Sequence, residues 1–309
     1  MRSAEQGCVN DMAENPISGD DPEATARLRG NVADRDAAPS SLAPRPSSLA
    51  FQPSPLLEYV LRLADNGLVL AQRLGDWVGK GPALEEDIAS TNVALDLLGQ
   101  ARLWFAYAGE IEGRDHPPGR TEDQFAYFRD AAQFRNLLLV EQPNGHYGDT
   151  IARQYLFDQW HVLALDALAQ SEDERIAAIA AKAHTEVRYH VERSADWVIR
   201  LGDGTETSHA RMQAAIDALW MYTGEMFAVD DVERGLIDAG IAADIAALQP
   251  QWMAAVRDVF GEATLAVPAD DWMQGGHARG GKQGVHTEHL SRMLAEMQVL
   301  PRTYPDARW

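Results

Sequence analysis

Cysteine is almost absent: Cys8 is the one cysteine in 309 residues. An internal disulfide framework is therefore impossible, and four-cysteine zinc and iron–sulfur sites are excluded. Long apolar runs are missing too, none approaching the ~20 residues that span a bilayer. The opening residues (MRSAEQGCVNDMAENPISGDDPE) have no hydrophobic stretch for a secretory signal and too many acids for a transit peptide, so the sequence predicts a cytoplasmic protein. Positive charge is scarce: 27 Lys and Arg stand against 47 Asp and Glu, a formal net charge of −20. A surface of that sign repels nucleic-acid backbones and anionic membranes, and it keeps the chain soluble. The alternating pattern of half-buried strands is lacking as well, and no internal repeat of fixed period appears.

What is present favours helix. The chain is 46% hydrophobic and 24% charged, rich in Ala and Leu, with long stretches free of Pro. Residues 1–52 are rich in Pro, Ser, Ala, Asp and Arg and poor in large apolar residues. They bury too little surface to offset the entropy of ordering, so they read as a disordered tail or as sequence upstream of the true start. Helical periodicity begins near Pro55 and predicts one domain over 53–309. Helices are expected at about 55–77, 84–111, 121–139, 148–170, 173–201, 206–228, 230–239 and 242–262, with a last one from about His286 to Leu300. Gly79-Lys80-Gly81-Pro82, Pro143-Asn144-Gly145 and Gly202-Asp203-Gly204 punctuate them. Loops of this length between helices fit an antiparallel bundle.

An acidic helical bundle raises the question of a di-iron carboxylate site. That chemistry takes a Glu from each of two helices and Glu-x-x-His from two others, the i,i+3 spacing placing both ligands on one helix face. No Glu-x-x-His occurs in the expected core. Glu186 and His190 are four apart, with Val187 at the ligand-spaced position, and Asp96-Leu97-Leu98-Gly99-Gln100 carries Leu97 and Gln100 where Glu and His would stand. His190 alone reads first as a hydrogen-bonded core histidine. A second cluster, His286-Thr287-Glu288-His289, follows the glycines of Gly280-Gly281-Lys282-Gln283-Gly284. Those glycines lack the spacing of a P-loop or a dinucleotide fingerprint, so a turn that caps the final helix near Thr287 is the simpler reading. Gly281, Lys282, His286, Glu288 and His289 stay candidates for an interface or for a ligand's phosphates. The tryptophans at 77, 104, 160, 197, 220 and 252 read as packing, and no Gly-x-Ser-x-Gly elbow is present.

Three blocks carry a resemblance: Leu95-Asp96-Leu97-Leu98-Gly99-Gln100-Ala101-Arg102; Leu137 to Gly145 (LLLVEQPNG) with Asp149 to Tyr155 (DTIARQY); and Gly284 to Leu290 (GVHTEHL) with Leu294 to Gln298 (LAEMQ). From about Pro55 to Trp309 the chain resembles the C subunits of bacterial phenylacetyl-CoA epoxidases, the multicomponent ring-oxygenating enzymes of phenylacetate catabolism. The resemblance implies an all-α, ferritin-like bundle with extra helices. It also implies a structural role beside a catalytic A subunit that holds the di-iron site. In such a complex a reductase with flavin and an Fe–S cluster supplies electrons from NADPH, and this chain itself holds no cofactor.

Placed on the ligand pattern of the catalytic sister subunit, the positions read Gly67, Leu97, Gln100, Asp158, Val187 and His190. Two of the six keep a ligand-type side chain, too few for two irons. If Asp158 and His190 stay inside the bundle, each needs a polar partner. They are expected to pair with each other or with Gln100, fixing helix register more than adding stability. Lys282 is expected near the phosphates of the CoA moiety at a subunit boundary. Two other readings remain: an enzyme in its own right with a rearranged site of Glu186, His190, Asp158 and Glu225, and a helical interaction protein unconnected with oxygenation.

Overall fold

A computed structural model describes residues 53–269 and 280–307. Among them the regular structure is helical, with no strand. Helix α1 (Pro55–Gly75) starts where the sequence says it should: Pro55 has its fixed φ at the first turn, and the Ser54 hydroxyl accepts the Leu57 N–H at 3.3 Å. Helix α2 (Leu84–Asp115) has no side-chain cap. Its first-turn Asp87 instead turns back to accept the N–H groups of Gly79 and Gly81, at 3.0 and 3.2 Å, and so fixes the α1–α2 connection. Helix α4 (Tyr147–Leu168) and helix α5 (Glu174–Gly202) form the second long hairpin. The Asp173 carboxylate caps α5 by accepting the N–H groups of Arg175 and Ile176.

These four helices form the antiparallel bundle. α1 lies along α2 and α4 along α5, and α2 meets α5 through Glu86–Arg193 at one end and Glu110–Arg175 at the other. Helices α6 (Glu206–Leu219) and α8 (Ile245–Glu262) cover α4 and α5, helix α7 (Asp231–Asp238) lies on α1, and helix α9 (Glu288–Thr303) meets the short α3 (Glu122–Tyr127). A 3₁₀ segment, Trp220–Phe227, follows α6 and places Trp220 and Phe227 against Trp252 of α8. Among the described residues no helix is long and apolar enough to cross a membrane. The expected disordered tail over 1–52 lies outside the described residues.

Two expected helices are shorter than the sequence suggests. The stretch 206–228 is α-helical only to Leu219, and 121–139 only over Glu122–Tyr127. Residues 128–146 then run without α-helix, apart from a 3₁₀ turn at Ala131–Gln133, and their central stretch passes through the interior, where Leu137, Leu138, Leu139, Val140 and Glu141 are buried. A buried irregular segment needs partners for its backbone, and side chains from distant elements supply them. The N–H of Arg135 donates to Asp65, that of Leu137 to Asn66, and that of Leu138 to Glu225, each at 2.8 Å. Helix is outcompeted there by acceptors that no local window contains.

Candidate functional site

The six ligand positions of the sister pattern all fall in the bundle. Leu97 on α2 and Val187 on α5 are each 0% exposed and offer no donor atom. Gly67 of α1 is a packing position: a Cβ built there would sit 3.1 Å from the Leu97 carbonyl and 3.4 Å from the Ala101 methyl. The absent side chain lets α1 and α2 approach where a carboxylate would otherwise hold them apart.

The three polar positions are occupied, but not by each other. Asp158 (0% exposed) accepts from Gln154 Nε2 at 2.6 Å and from Ser194 Oγ at 3.0 Å. His190 Nε2 lies 3.0 Å from Asp96 Oδ2, and Gln100 Nε2 donates to Glu186 Oε2 at 2.9 Å. The expected direct pairing of Asp158 with His190 or Gln100 is therefore corrected. Asp158 is satisfied from within α4 and from α5, whereas His190 and Gln100 are met by the half-exposed carboxylates of Asp96 and Glu186 at the α2–α5 seam. Burial pushes the Asp158 carboxyl up to about 6, against the opposing pull of His190, Ser194 and Gln154.

One residue of this cluster escaped the sequence reading. His161 stands three residues after Asp158, so Asp158-Gln159-Trp160-His161 carries the carboxylate-x-x-His spacing with Asp in place of Glu. Burial first, and then the neighbouring His190, press its imidazole down to about 3, so it stays neutral. The nitrogens Nδ1 of His161 and of His190 and the oxygens Oε1 of Gln100 and of Gln154 are buried without hydrogen-bond partners. The donor set nevertheless does not fit a carboxylate-bridged di-iron centre. Three of the six positions cannot ligate, and among the described residues no three His, Cys, Asp or Glu side chains are grouped to hold a metal ion.

Glu225 belongs elsewhere. Its carboxylate accepts the Leu138 N–H at 2.8 Å and the Lys282 N–H at 3.2 Å, which removes it from the rearranged site with Glu186, His190 and Asp158. Lys282 is itself turned inward: it is 6% exposed, and its ammonium donates to Glu233 at 2.8 Å and to the Ala228 carbonyl at 2.9 Å. An ammonium committed to a buried carboxylate is not presented to a ligand's phosphates, so the expected CoA-proximal role is replaced by an internal ion pair. The glycines serve the same docking: a Cβ on Gly281 would fall 1.8 Å from the Asn136 carbonyl oxygen. His286 bridges Glu141 and the Phe134 carbonyl, at 2.8 and 3.1 Å, and Thr287 is the N-cap residue of α9. Glu288 is exposed, and the His289 carbonyl accepts from Arg73 at 3.3 Å. Gly275 and Gly276 lie outside the described residues.

The geometry thus presents a bundle whose centre is filled by packing and hydrogen bonds, and a second polar knot that clamps the segments 128–146 and 280–287 onto it. The family of phenylacetic acid catabolic proteins matches residues 44–309. The chain is also 50% identical over 254 residues to the C subunit of 1,2-phenylacetyl-CoA epoxidase from Escherichia coli (strain K12), an alignment covering 82% of this chain and 99% of that protein.

Proposed function

The chain belongs to the phenylacetic acid catabolic protein family, and we propose that it is a non-catalytic component of a phenylacetyl-CoA epoxidase, supporting a catalytic A-type subunit that holds the di-iron centre. The observation that carries this reading is the replacement of ligand positions by packing. Leu97 and Val187 are fully buried apolar side chains, and Gly67 closes α1 onto α2. The likeness to an epoxidase C subunit along almost its whole length supports the same assignment. Oxygen and ring chemistry then reside in the partner, electrons come from an NADPH-dependent reductase, and this chain acts through contact.

The test is metal analysis and epoxidation of phenylacetyl-CoA, with the purified chain alone and mixed with the A-type subunit and reductase. The expected result is a chain without stoichiometric iron, inactive alone, that co-purifies with the A-type subunit and raises its activity. Stoichiometric iron together with turnover by the isolated chain would overturn the reading.

A further inference from the structure

The function proposed above leaves His286 without a part, and the structure buries it. Gly284 makes the turn that leads to it: its φ of +75° is left-handed, and a Cβ there would collide with the Ala132 carbonyl. The chain then sets the His286 imidazole between two groups of the segment 128–146. Nε2 lies 3.1 Å from the Phe134 carbonyl oxygen, and Nδ1 lies 2.8 Å from Glu141 Oε2. The side chains of His286 and Glu141 are 4% and 0% exposed, so both ring nitrogens must be satisfied inside the protein.

A neutral imidazole has one N–H and one lone pair. A backbone carbonyl can only accept, so Phe134 fixes a proton on Nε2. Nδ1 then meets a carboxylate oxygen. With a lone pair it would face Oε2 acceptor to acceptor, so the contact needs a second proton between the two atoms. Glu141 decides which of them carries it. Its Oε1 accepts the Thr287 N–H at 2.7 Å, and its Oε2 accepts from Asn136 Nδ2 at 3.1 Å. Bonds donated to a carboxylate favour its ionised form. A carboxylate buried this deeply needs a cation beside it, and the other charged groups around the pair do not supply one. Arg73 of α1 donates to the backbone carbonyl of Glu141, and Arg135 donates to the Phe134 carbonyl and to Glu58. Lys282 is turned to Glu233. Glu225 and Tyr222 of the 3₁₀ segment and Glu288 of α9 carry negative charge when ionised. His190 is the contrast: its Nε2 meets Asp96 while its Nδ1 has no partner, so one ring proton serves it.

We infer that the Glu141–His286 pair is a buried proton-binding site: His286 is held as the imidazolium, and its second proton latches residues 284–287 and the start of α9 onto the segment 128–146. The latch reaches α9 because the same carboxylate holds the N–H of Thr287, the N-cap residue of that helix. Loss of the proton sets Nδ1 against Glu141 and releases this contact first.

The test is the ring-nitrogen spectrum of the full chain carrying nitrogen-15 histidine, near neutral pH. The His286 signals are identified by their loss in His286→Gln or, where that variant does not fold, by cross-relaxation between the ring and the Thr287 amide. Both His286 nitrogens should resonate as protonated ones. In Glu141→Gln, whose amide can donate to Nδ1, one of them should move to the position of an unprotonated nitrogen. Amide exchange reads the latch. The Thr287 N–H should exchange tenfold or more faster in His286→Phe, which strands the carboxylate, and return to within threefold of wild type when Glu141→Gln is added. The wild-type spectrum decides the protonation without any variant: a His286 ring with one protonated nitrogen overturns the site. Two protonated nitrogens in Glu141→Gln also overturn it, because the carboxylate would not be what holds the proton. Thr287 exchange unchanged in His286→Phe, or still fast in the double variant, overturns the latch.

Discussion

Asp158→Asn should stabilise the protein near neutral pH, and the gain should disappear in acid. Burial raises the Asp158 carboxyl from an ordinary value of 3.8 to about 6. Below 3.8 the carboxyl is protonated in both the folded and the unfolded chain. As pH rises past 3.8 the unfolded chain ionises freely while the folded one holds its proton until about 6. The folded state then binds more protons, so stability falls with rising pH across that window and stays low above it. The gap of about two units corresponds to about 3 kcal/mol at pH 7. An Asn can keep both hydrogen bonds. Its Oδ1 accepts from Ser194, and a turned Gln154 amide offers Oε1, an atom now buried without a partner, to the new NH₂ group. Chemical denaturation of wild type and variant, followed by circular dichroism at pH 4 to 7.5, gives the difference directly, because all other titrating groups are common to both. The expected difference is about 2–3 kcal/mol in favour of the variant at pH 7, falling towards zero at pH 4. A difference independent of pH, or one that grows towards acid, would refute the placement of an uncompensated carboxyl at the centre of the bundle.

His161 should show the opposite sign. Its imidazole is held down to about 3 against 6.5 in the unfolded chain, so stability is lost as pH falls below 6.5, and His161→Gln should gain on wild type towards pH 4 in the same denaturation series. Asp65→Ala strands the buried Arg129 guanidinium, which is bonded to both Asp65 oxygens, and should cost about 3–5 kcal/mol, whereas Asp65→Leu combined with Arg129→Met should recover only part of it, because the Arg135 N–H that Asp65 also accepts stays unpaired. A double variant no more stable than the single one in urea would show that the pair is not the cause. Lys282→Met should lower stability by about 1–3 kcal/mol, because Glu233 retains Arg62 at 3.3 Å but loses its closer partner; a loss of substrate affinity in the assembled enzyme without loss of stability would contradict the inward geometry. Gly281→Ala should reach or exceed the upper end of the ~1–3 kcal/mol range for overpacking, since its methyl would collide with the Asn136 carbonyl; unchanged thermal stability would refute the close approach.

The long helices were legible because their signals are local. Pro55 opens α1, and Gly202-Asp203-Gly204 separates α5 from α6. The segment 128–146 was not, because what fixes it is remote. Asp65 and Asn66 lie near the middle of α1 and Glu225 lies in the 3₁₀ segment after α6, and no window around residue 137 contains them. The same distance hid the fate of Lys282. A lysine among glycines looks like an exposed phosphate ligand until the chain brings Glu233 to its ammonium and the Asn136 carbonyl against Gly281.

The centre of the bundle shows why residue identity at the ligand positions was readable while partnership was not. Identity is a property of six positions, and the side chains of Gly67, Leu97 and Val187 offer no ligand atom. Partnership depends on how α1, α2, α4 and α5 close once the ligands are gone. With Gly67 opposite the Leu97 carbonyl, α1 comes against α2, and the polar groups left behind turn to the α2–α5 seam, where Asp96 and Glu186 take His190 and Gln100. Those carboxylates are half-exposed, so both pairs keep access to water and avoid most of the desolvation that makes a buried charge costly. Of the three carboxylates in this cluster Asp158 is the one that stays deep, held by neutral donors and raised to about 6. The interior is thus closed by packing on the α1 side and by hydrogen bonds on the α5 side.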